Sequence, residues 1–126
     1  MKLRREQWQT FRDAAGRSFE DRMVAHVHKF FPADCEHLGD DVREEVRSGI
    51  ERAKTYGFRS ARDICKFIDV MFAFGRSFDT NRKLPWAAEI LHDPTVVDPA
   101  VRAGRLIDEA QVNYDDAPSL RRKWKR

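Results

Sequence analysis

Residues 64–74 are the most apolar stretch of the chain, and they limit what the chain can fold into. Lys66 and Asp69 are the only polar residues in these eleven positions. A helix that is apolar on every side has to be covered on every side by other parts of the protein. The stretch is also far too short to cross a bilayer. The sequence therefore predicts a central core helix that other helices surround.

Cap signals mark both ends of this central helix. Ser60 stands three residues before Asp63, a spacing that is typical of a helix N-terminus because a side-chain oxygen there accepts a hydrogen bond from a backbone N–H group. Gly75 is typical of the residue that follows a helix C-terminus. We therefore expect the central helix to occupy about residues 60–75.

Further helices are predicted by apolar residues that recur every three or four positions and by proline start signals. The expected boundaries are about 4–31, 41–56, 86–92 and 99–114. No segment shows the alternation that is typical of a strand. The predicted fold class is all-α, a compact four- to five-helix bundle around the central helix. We expect residues 1–118 to form a single helical domain and residues 119–126 to form a basic, disordered tail.

Proline, glycine and acidic residues indicate where these further helices begin and end. Pro32 disfavours the helical conformation for the residue before it, so it should end the first helix. Asp40 or Asp41 can cap the second helix, and Glu44 stands three residues beyond Asp41, as in a capping box. Gly57 should end that helix. Pro85 suits the first position of a short helix, because its missing N–H is not needed there.

The positive charge of the chain is concentrated in its last six residues. The formal net charge is +3, and residues 121–126 contribute five positive charges, which leaves −2 for residues 1–120. A nucleic-acid-binding domain usually carries its basic residues as a patch on the folded surface. A nucleic-acid-binding regulator that uses the basic tail, with its Trp among cations, is therefore the alternative function and not the main one.

The cysteine content and the N-terminal segment indicate the compartment. Cys35 and Cys65 allow at most one disulfide, and the segment MKLRREQWQ is basic but lacks the apolar core of a signal peptide. Free thiols are typical of a reducing compartment. We therefore expect a cytoplasmic protein that does not bind a membrane.

His26, His28, Cys35 and His37 lie within twelve residues and have the chemistry of zinc ligands. On a helix, His26 and His28 point about 200° apart, so at most one of them could join the other two. Scattered surface histidines near a helix end explain this pattern more simply. We expect no metal and no other cofactor, and whether Cys35 and His37 bind a metal stays open.

Asp69 is the residue of the central helix whose chemistry would suit an enzyme. Burial raises the pKa of a carboxyl group and would make it a stronger general base. Buried carboxylates are more often held in ion pairs, and Lys66 or an Arg from another helix would serve as the partner. The chain contains none of the common nucleophile, metalloprotease or phosphate-loop motifs. We therefore expect a protein that is not an enzyme.

Aromatic residues concentrate between residues 58 and 86, and three arginines flank them. An aromatic core is the simpler explanation, because aromatic side chains dominate protein cores. The alternative is that part of this region is accessible as an anchor for a partner protein, since aromatic and Arg side chains are frequent at binding hot spots. The candidate partner-binding residues are Phe58, Arg59, Arg62, Asp69, Arg76, Phe78 and Trp86.

The segments GIERAKTYGF, RSARDICKFIDVMFAFGRSFD and LPWAAEILHDP resemble a group of small helical bacterial proteins. That group is encoded beside genes for type VI secretion spike proteins, PAAR-like tips and toxic effectors. The resemblance covers about residues 38–107 and includes no catalytic signature. It implies an accessory role, as an adaptor or chaperone that holds an effector or as an immunity protein that neutralises one. We therefore expect a protein-binding module whose partner is a secreted effector or a spike component.

Overall fold

A computed structural model of the chain describes residues 18–114. This range forms six α-helices, and no residue of it forms a β-strand. The helices are α1 (Phe19–Phe30), α2 (Pro32–Leu38), α3 (Val42–Thr55), α4 (Ala61–Phe74), α5 (Pro85–Leu91) and α6 (Pro99–Tyr114). The predicted all-α class is confirmed. The predicted helical segment before residue 18 and the basic tail lie outside the described residues.

Helix α4 is the centre of the bundle. The Ser60 hydroxyl accepts a hydrogen bond from the backbone N–H of Asp63 at 3.1 Å, and Gly75 ends the helix with a φ of 109° that favours glycine. Eleven of the fourteen residues of α4 are buried. Helices α1, α3 and α6 all pack against it, α6 most extensively. The prediction of a central core helix is therefore confirmed, together with both of its end signals.

Phe67 of α4 is the centre of an aromatic cluster in the core. Its ring centroid lies 5.0 Å from that of Phe78, 6.0 Å from that of Phe58 and 5.8 Å from that of Tyr56. The three phenylalanines are at most 1% exposed. Burial of one such side chain stabilises the fold by about 2–3 kcal/mol, and each tilted ring pair adds about 1 kcal/mol. This cluster fixes the loop that carries Phe78 against the central helix.

The segment between α1 and α3 differs from the sequence prediction. Pro32 ends α1 as expected, but it is also the first residue of the short helix α2, which buries Cys35 and Leu38. A 3₁₀ turn, Gly39–Asp41, then leads into α3. The predicted capping box is wrong, because Asp41 is itself helical in this turn, with φ −83° and ψ −2°, and its side chain makes no cap hydrogen bond.

Two arginines fix the loops around α5. Arg52 of α3 donates to the backbone carbonyl of Arg76 and pairs with Asp79, which also accepts a hydrogen bond from Tyr56 Oη at 2.7 Å. Burial and this contact raise the pKa of Tyr56 to about 12. Arg102 of α6 donates to the carbonyl of Tyr56 at 2.9 Å and to a second loop carbonyl at 2.7 Å. These contacts hold both loops against the bundle.

Helix α1 is attached to α3 by a cluster of ion pairs. Glu20 accepts hydrogen bonds from Arg43 Nη1 at 2.6 Å and from Arg47 Nε at 2.8 Å, and Asp21 pairs with Arg43 at 2.8 Å. The hydrogen bonds from Arg47 and Arg43 lower the pKa of Glu20 to about 2. The cluster is partly exposed, so solvent screens it.

The Glu20 cluster predicts a specific response to acid. A carboxyl whose pKa is lower in the folded state stabilises the fold above its unfolded pKa, and this contribution is lost as the pH falls through the folded pKa. The stability advantage of the wild type over Glu20→Gln should therefore be full above about pH 4.5 and vanish near pH 2. Urea denaturation at several pH values measures this difference. Glu51→Gln, in an exposed pair with Lys54, is the control. An advantage that did not change with pH would contradict the prediction.

Gly49 allows α3 to approach α4 closely. A Cβ atom at this position would lie 2.8 Å from Met71 Cε, closer than real Cβ atoms approach, and 3.1 Å from Ile68 Cγ1, tighter than most real Cβ contacts. Both neighbours are fully buried. By contrast, nothing lies within 4 Å of a Cβ atom built at Gly104 of α6.

These two glycines should respond to substitution in opposite directions. Gly49→Val should destabilise the protein by about 1–3 kcal/mol, because the added methyl groups overpack the crossing of α3 and α4. Gly104→Ala should stabilise it by about 0.5–1 kcal/mol, because alanine loses less backbone entropy in a helix. Urea denaturation followed by circular dichroism measures both changes. A Gly49→Val variant as stable as the wild type would show that the two helices do not cross closely.

Candidate functional site

A cluster of three polar side chains lies in the core where α1 crosses α4. His26 of α1 and Asp69 of α4 form a hydrogen bond of 2.8 Å between Nε2 and Oδ1, and Cys65 Sγ lies 3.5 Å from the same His26 nitrogen. Cys65 and Asp69 are four positions apart and so share one face of α4. His26 is 5% exposed and the other two side chains are fully buried. We refer to these three residues as the buried triad.

Burial determines the electrostatics of the buried triad. The pKa of the Asp69 carboxyl is raised by burial, and the nearby His26 opposes this effect. The pKa of the Cys65 thiol is raised well above its usual value by burial and by the Asp69 carboxylate. Asp69 Oδ2 is buried without a hydrogen-bond partner. An unsatisfied carboxylate oxygen in a core costs about 1–3 kcal/mol or more, so it calls for a physical reason.

The geometry of the buried triad differs from that of a catalytic Cys–His–Asp relay. Such a relay uses opposite nitrogens of the imidazole, one for the nucleophile and one for the carboxylate. Here the same Nε2 atom faces both Cys65 and Asp69. A raised thiol pKa also disfavours the thiolate that acts as the nucleophile. The arrangement therefore does not activate Cys65 for attack on a substrate.

The donor atoms of the buried triad do converge as metal ligands would. One ligand atom from each of the three residues lies within 4.8 Å of the other two, and among residues 18–114 no other group of three such residues does so. The zinc candidates Cys35 and His37 are not brought together with a third ligand in this range. Cys35 is buried in α2, where burial and Asp34 raise its pKa to about 11, while His37 is exposed.

The sequence predicted separate pieces of the buried triad but not the triad itself. His26 was a zinc candidate and Asp69 a candidate for a buried ion pair, yet the partners expected for them were other residues. Asp69 forms its hydrogen bond with a histidine from another helix. The available signal was the spacing of Cys65 and Asp69, two chemically reactive residues on one face of an otherwise apolar helix.

The seven predicted partner-binding residues fall into different environments. Phe58, Phe78 and Asp69 are buried, so they contribute to the core in this structure and not to its surface. Arg59 and Arg62 are exposed. The remaining two are partly buried: Arg76 forms an ion pair with Glu45 at 2.7 Å, and Trp86 packs edge-on against Phe74, with ring centroids 5.2 Å apart.

Trp86 also lines an open groove between α5 and α6. The groove has a volume of about 420 Å³ and is lined by Trp86, Glu89, Ile90, Arg105, Asp108 and Glu109. Trp86 and Ile90 supply its apolar part, and three acidic side chains and one arginine supply its polar part. We call this the α5–α6 groove.

Two exposed valines add apolar surface to the side of α6 that carries the groove residues. Val101 is 48% exposed and Val112 is 67% exposed. Arg105 and Asp108 lie between the two valines in the sequence. The spacings from Val101 to Arg105, Asp108 and Val112 in turn are four, three and four positions, so all four side chains lie on one side of the helix. This side of α6 therefore carries apolar residues at both ends and charged groove residues between them.

No protein family, curated protein or solved structure matches the chain. Within residues 18–114, none of the helices combines the length and the apolar character needed to cross a membrane.

The hydrogen bond between His26 and Asp69 predicts a strongly non-additive effect on stability. In a chelator-containing buffer near pH 7, His26→Leu should cost about 3–5 kcal/mol, because it leaves the Asp69 carboxylate buried without any partner. The double variant with Asp69→Leu should recover most of this loss, because both polar groups are then replaced by apolar ones. Urea denaturation of the single and double variants measures the coupling. Additive losses would contradict a direct interaction.

Proposed function

We propose that this chain is a non-catalytic protein-binding module that binds its partner on the α5–α6 groove. The observation that carries the proposal is a partly exposed tryptophan beside Ile90, in a groove that opens on the surface. A large aromatic side chain in a concave site, surrounded by polar groups, is typical of a binding hot spot. The exposed Val101 and Val112 on the same side of α6 extend the apolar area that a partner would cover.

The charges of the groove indicate the chemistry of the partner. Glu89, Asp108 and Glu109 outnumber Arg105 along its lining. A complementary segment carries Lys or Arg side chains around one large apolar side chain that contacts Trp86. Charge complementarity of this kind increases the association rate and excludes acidic competitors, while the apolar contact supplies most of the affinity.

The resemblance to proteins encoded beside type VI secretion genes is what supports an accessory role. We propose that the partner is a secreted effector or a spike component of the same bacterium, and that the chain acts in the cytoplasm as an adaptor, a chaperone or an immunity protein. The two buried free thiols support a reducing compartment. All three roles require a stable complex with one defined protein and no chemical step.

Charge disfavours the alternative of a nucleic-acid-binding regulator for the described part of the chain. Residues 18–114 contain fourteen Lys and Arg against seventeen Asp and Glu, a net charge of −3. A nucleic-acid surface usually requires a basic patch on the fold. Binding of DNA or RNA would therefore depend on the basic residues outside this range, residues 121–126 above all.

The groove predicts which substitutions weaken the complex with the proposed effector or spike partner, which is sought among the products of the neighbouring genes. Trp86→Ala should reduce the affinity at least thirtyfold, the loss of about 2 kcal/mol that is typical of a hot-spot residue. Asp108→Lys combined with Glu109→Lys should also weaken the complex, and most strongly at low salt. Isothermal titration calorimetry at two salt concentrations measures both effects.

A matched control separates the groove from a general effect of charge. Glu51→Lys reverses an exposed charge on α3, away from the groove, and should leave the affinity unchanged. Circular dichroism confirms that Trp86→Ala is folded, since Trp86 also packs on Phe74. No complex with the neighbouring gene products, or equal weakening by Glu51→Lys, would overturn the proposal. Salt-dependent DNA binding that deletion of residues 121–126 abolishes would favour the alternative.

A further inference from the structure

We propose that the buried triad is a structural metal site, in which His26 Nε2, Cys65 Sγ and the Asp69 carboxylate bind one zinc ion. The site is independent of the α5–α6 groove and of the protein-binding function. The core around the triad in residues 18–114 is apolar, so a cluster of three polar side chains at this point calls for an explanation. The argument rests on geometry, on an unsatisfied oxygen and on charge.

The geometry of the three donor atoms is close to that of a zinc site. Zinc bound at about 2.0–2.3 Å from tetrahedral ligands holds its donor atoms roughly 3.3–3.7 Å apart. His26 Nε2 lies 3.5 Å from Cys65 Sγ and 2.8 Å from Asp69 Oδ1, and all three donors lie within 4.8 Å of one another. A metal ion would replace the hydrogen bond between His26 and Asp69 and separate these two atoms by roughly half an ångström.

The second carboxylate oxygen of Asp69 is independent support for the site. Oδ2 is fully buried and has no hydrogen-bond partner, although buried polar atoms almost always have one. An ion between His26 and Cys65 is a partner that this oxygen lacks at present. With both oxygens of Asp69 bound, the triad would supply one nitrogen, one sulfur and two oxygens, and the site would be distorted from a tetrahedron because the two oxygens of one carboxylate lie close together.

Charge balance also favours a divalent ion at this position. A neutral imidazole, a thiolate and a carboxylate carry two negative charges, which one divalent cation neutralises. Binding releases the Cys65 thiol proton to solvent, along with the Asp69 proton where the carboxyl is protonated. The resulting site has no net charge, so it is compatible with a core in which an isolated carboxylate is costly.

The donor types select among metals. A thiolate and an imidazole together suit zinc, whereas calcium and magnesium require oxygen ligands. The three side chains are buried and closed off from substrate, so the zinc they would bind is structural rather than catalytic. The ion would connect α1 to α4 through His26 and Cys65, which are 39 positions apart in the chain, and metal binding would be coupled to folding.

Cobalt is the probe that tests the site, because a thiolate bound to cobalt gives a charge-transfer band in the near ultraviolet. The 126-residue chain is unfolded in chelator, refolded with one equivalent of cobalt, and then titrated with zinc. In a separate experiment, mass spectrometry measures the zinc content of the protein after growth in zinc-supplemented medium. We expect one ion per chain, a thiolate–cobalt band and a higher Tm with zinc than with chelator. Zinc should displace cobalt and abolish the band.

Two cysteines in different environments provide a matched pair of variants. Cys65→Ser should abolish the thiolate band and reduce metal affinity at least a hundredfold, while Cys35→Ser should retain both. Asp69→Asn keeps the shape of the side chain but removes a charged ligand, so it should reduce metal affinity by at least the roughly 10–100-fold that loss of an outer-shell partner costs, while retaining the band. This variant tests the site even where Cys65→Ser fails to fold. Far-ultraviolet circular dichroism establishes which variants are folded.

Three results would overturn the proposal. The first is a refolded wild type that binds neither cobalt nor zinc. The second is a thiolate band that persists in Cys65→Ser or disappears in Cys35→Ser, which would place the metal elsewhere in the chain. The third is an Asp69→Asn variant with unchanged metal affinity. Each of these readouts is independent of partner binding, so loss of the metal site leaves the proposal for the α5–α6 groove unaffected.

Discussion

The burial of α4 on every side is the constraint on which the rest of the structure depends. Eleven of its fourteen residues are buried, so α1, α3 and α6 are all required to cover it. The same constraint governs polar chemistry in the core, because a polar group on α4 must find its partner on a covering helix or remain unsatisfied. Asp69 shows both outcomes, with one oxygen bound to His26 and the other without a partner.

The sequence predicted most helices because their signals are local. Ser60 and Gly75 directly flank α4 and mark its two ends, and Pro85 begins α5 as expected. The failures have equally local causes. Pro32 has two effects, since it ends one helix and occupies the first position of the next, and the second effect was missed. Asp41 has the residue type of a cap but a helical backbone conformation, which prevents capping.

The candidate sites could not be predicted in the same way, because they depend on contacts between distant residues. His26 and Asp69 are 43 positions apart, and no sequence period connects them. The sequence indicated that Asp69 would need a partner, but the candidate partners it indicated were Lys66 on the same helix or an arginine on another helix. Similarly, an aromatic-rich segment cannot show which of its rings face the core: Phe58 and Phe78 do, whereas Trp86 lines a surface groove.

The two proposed sites contact different sides of α4. Asp69 and Phe74 are five positions apart and point about 140° away from each other around the helix. Asp69 faces His26 of α1, while the ring of Phe74 packs against Trp86 at the groove. An ion in the buried triad would therefore affect the groove only by stabilising the position of α4 as a whole. Its effect would be on the fraction of folded molecules and not on the shape of the binding surface, which is the behaviour of a structural metal in a binding domain.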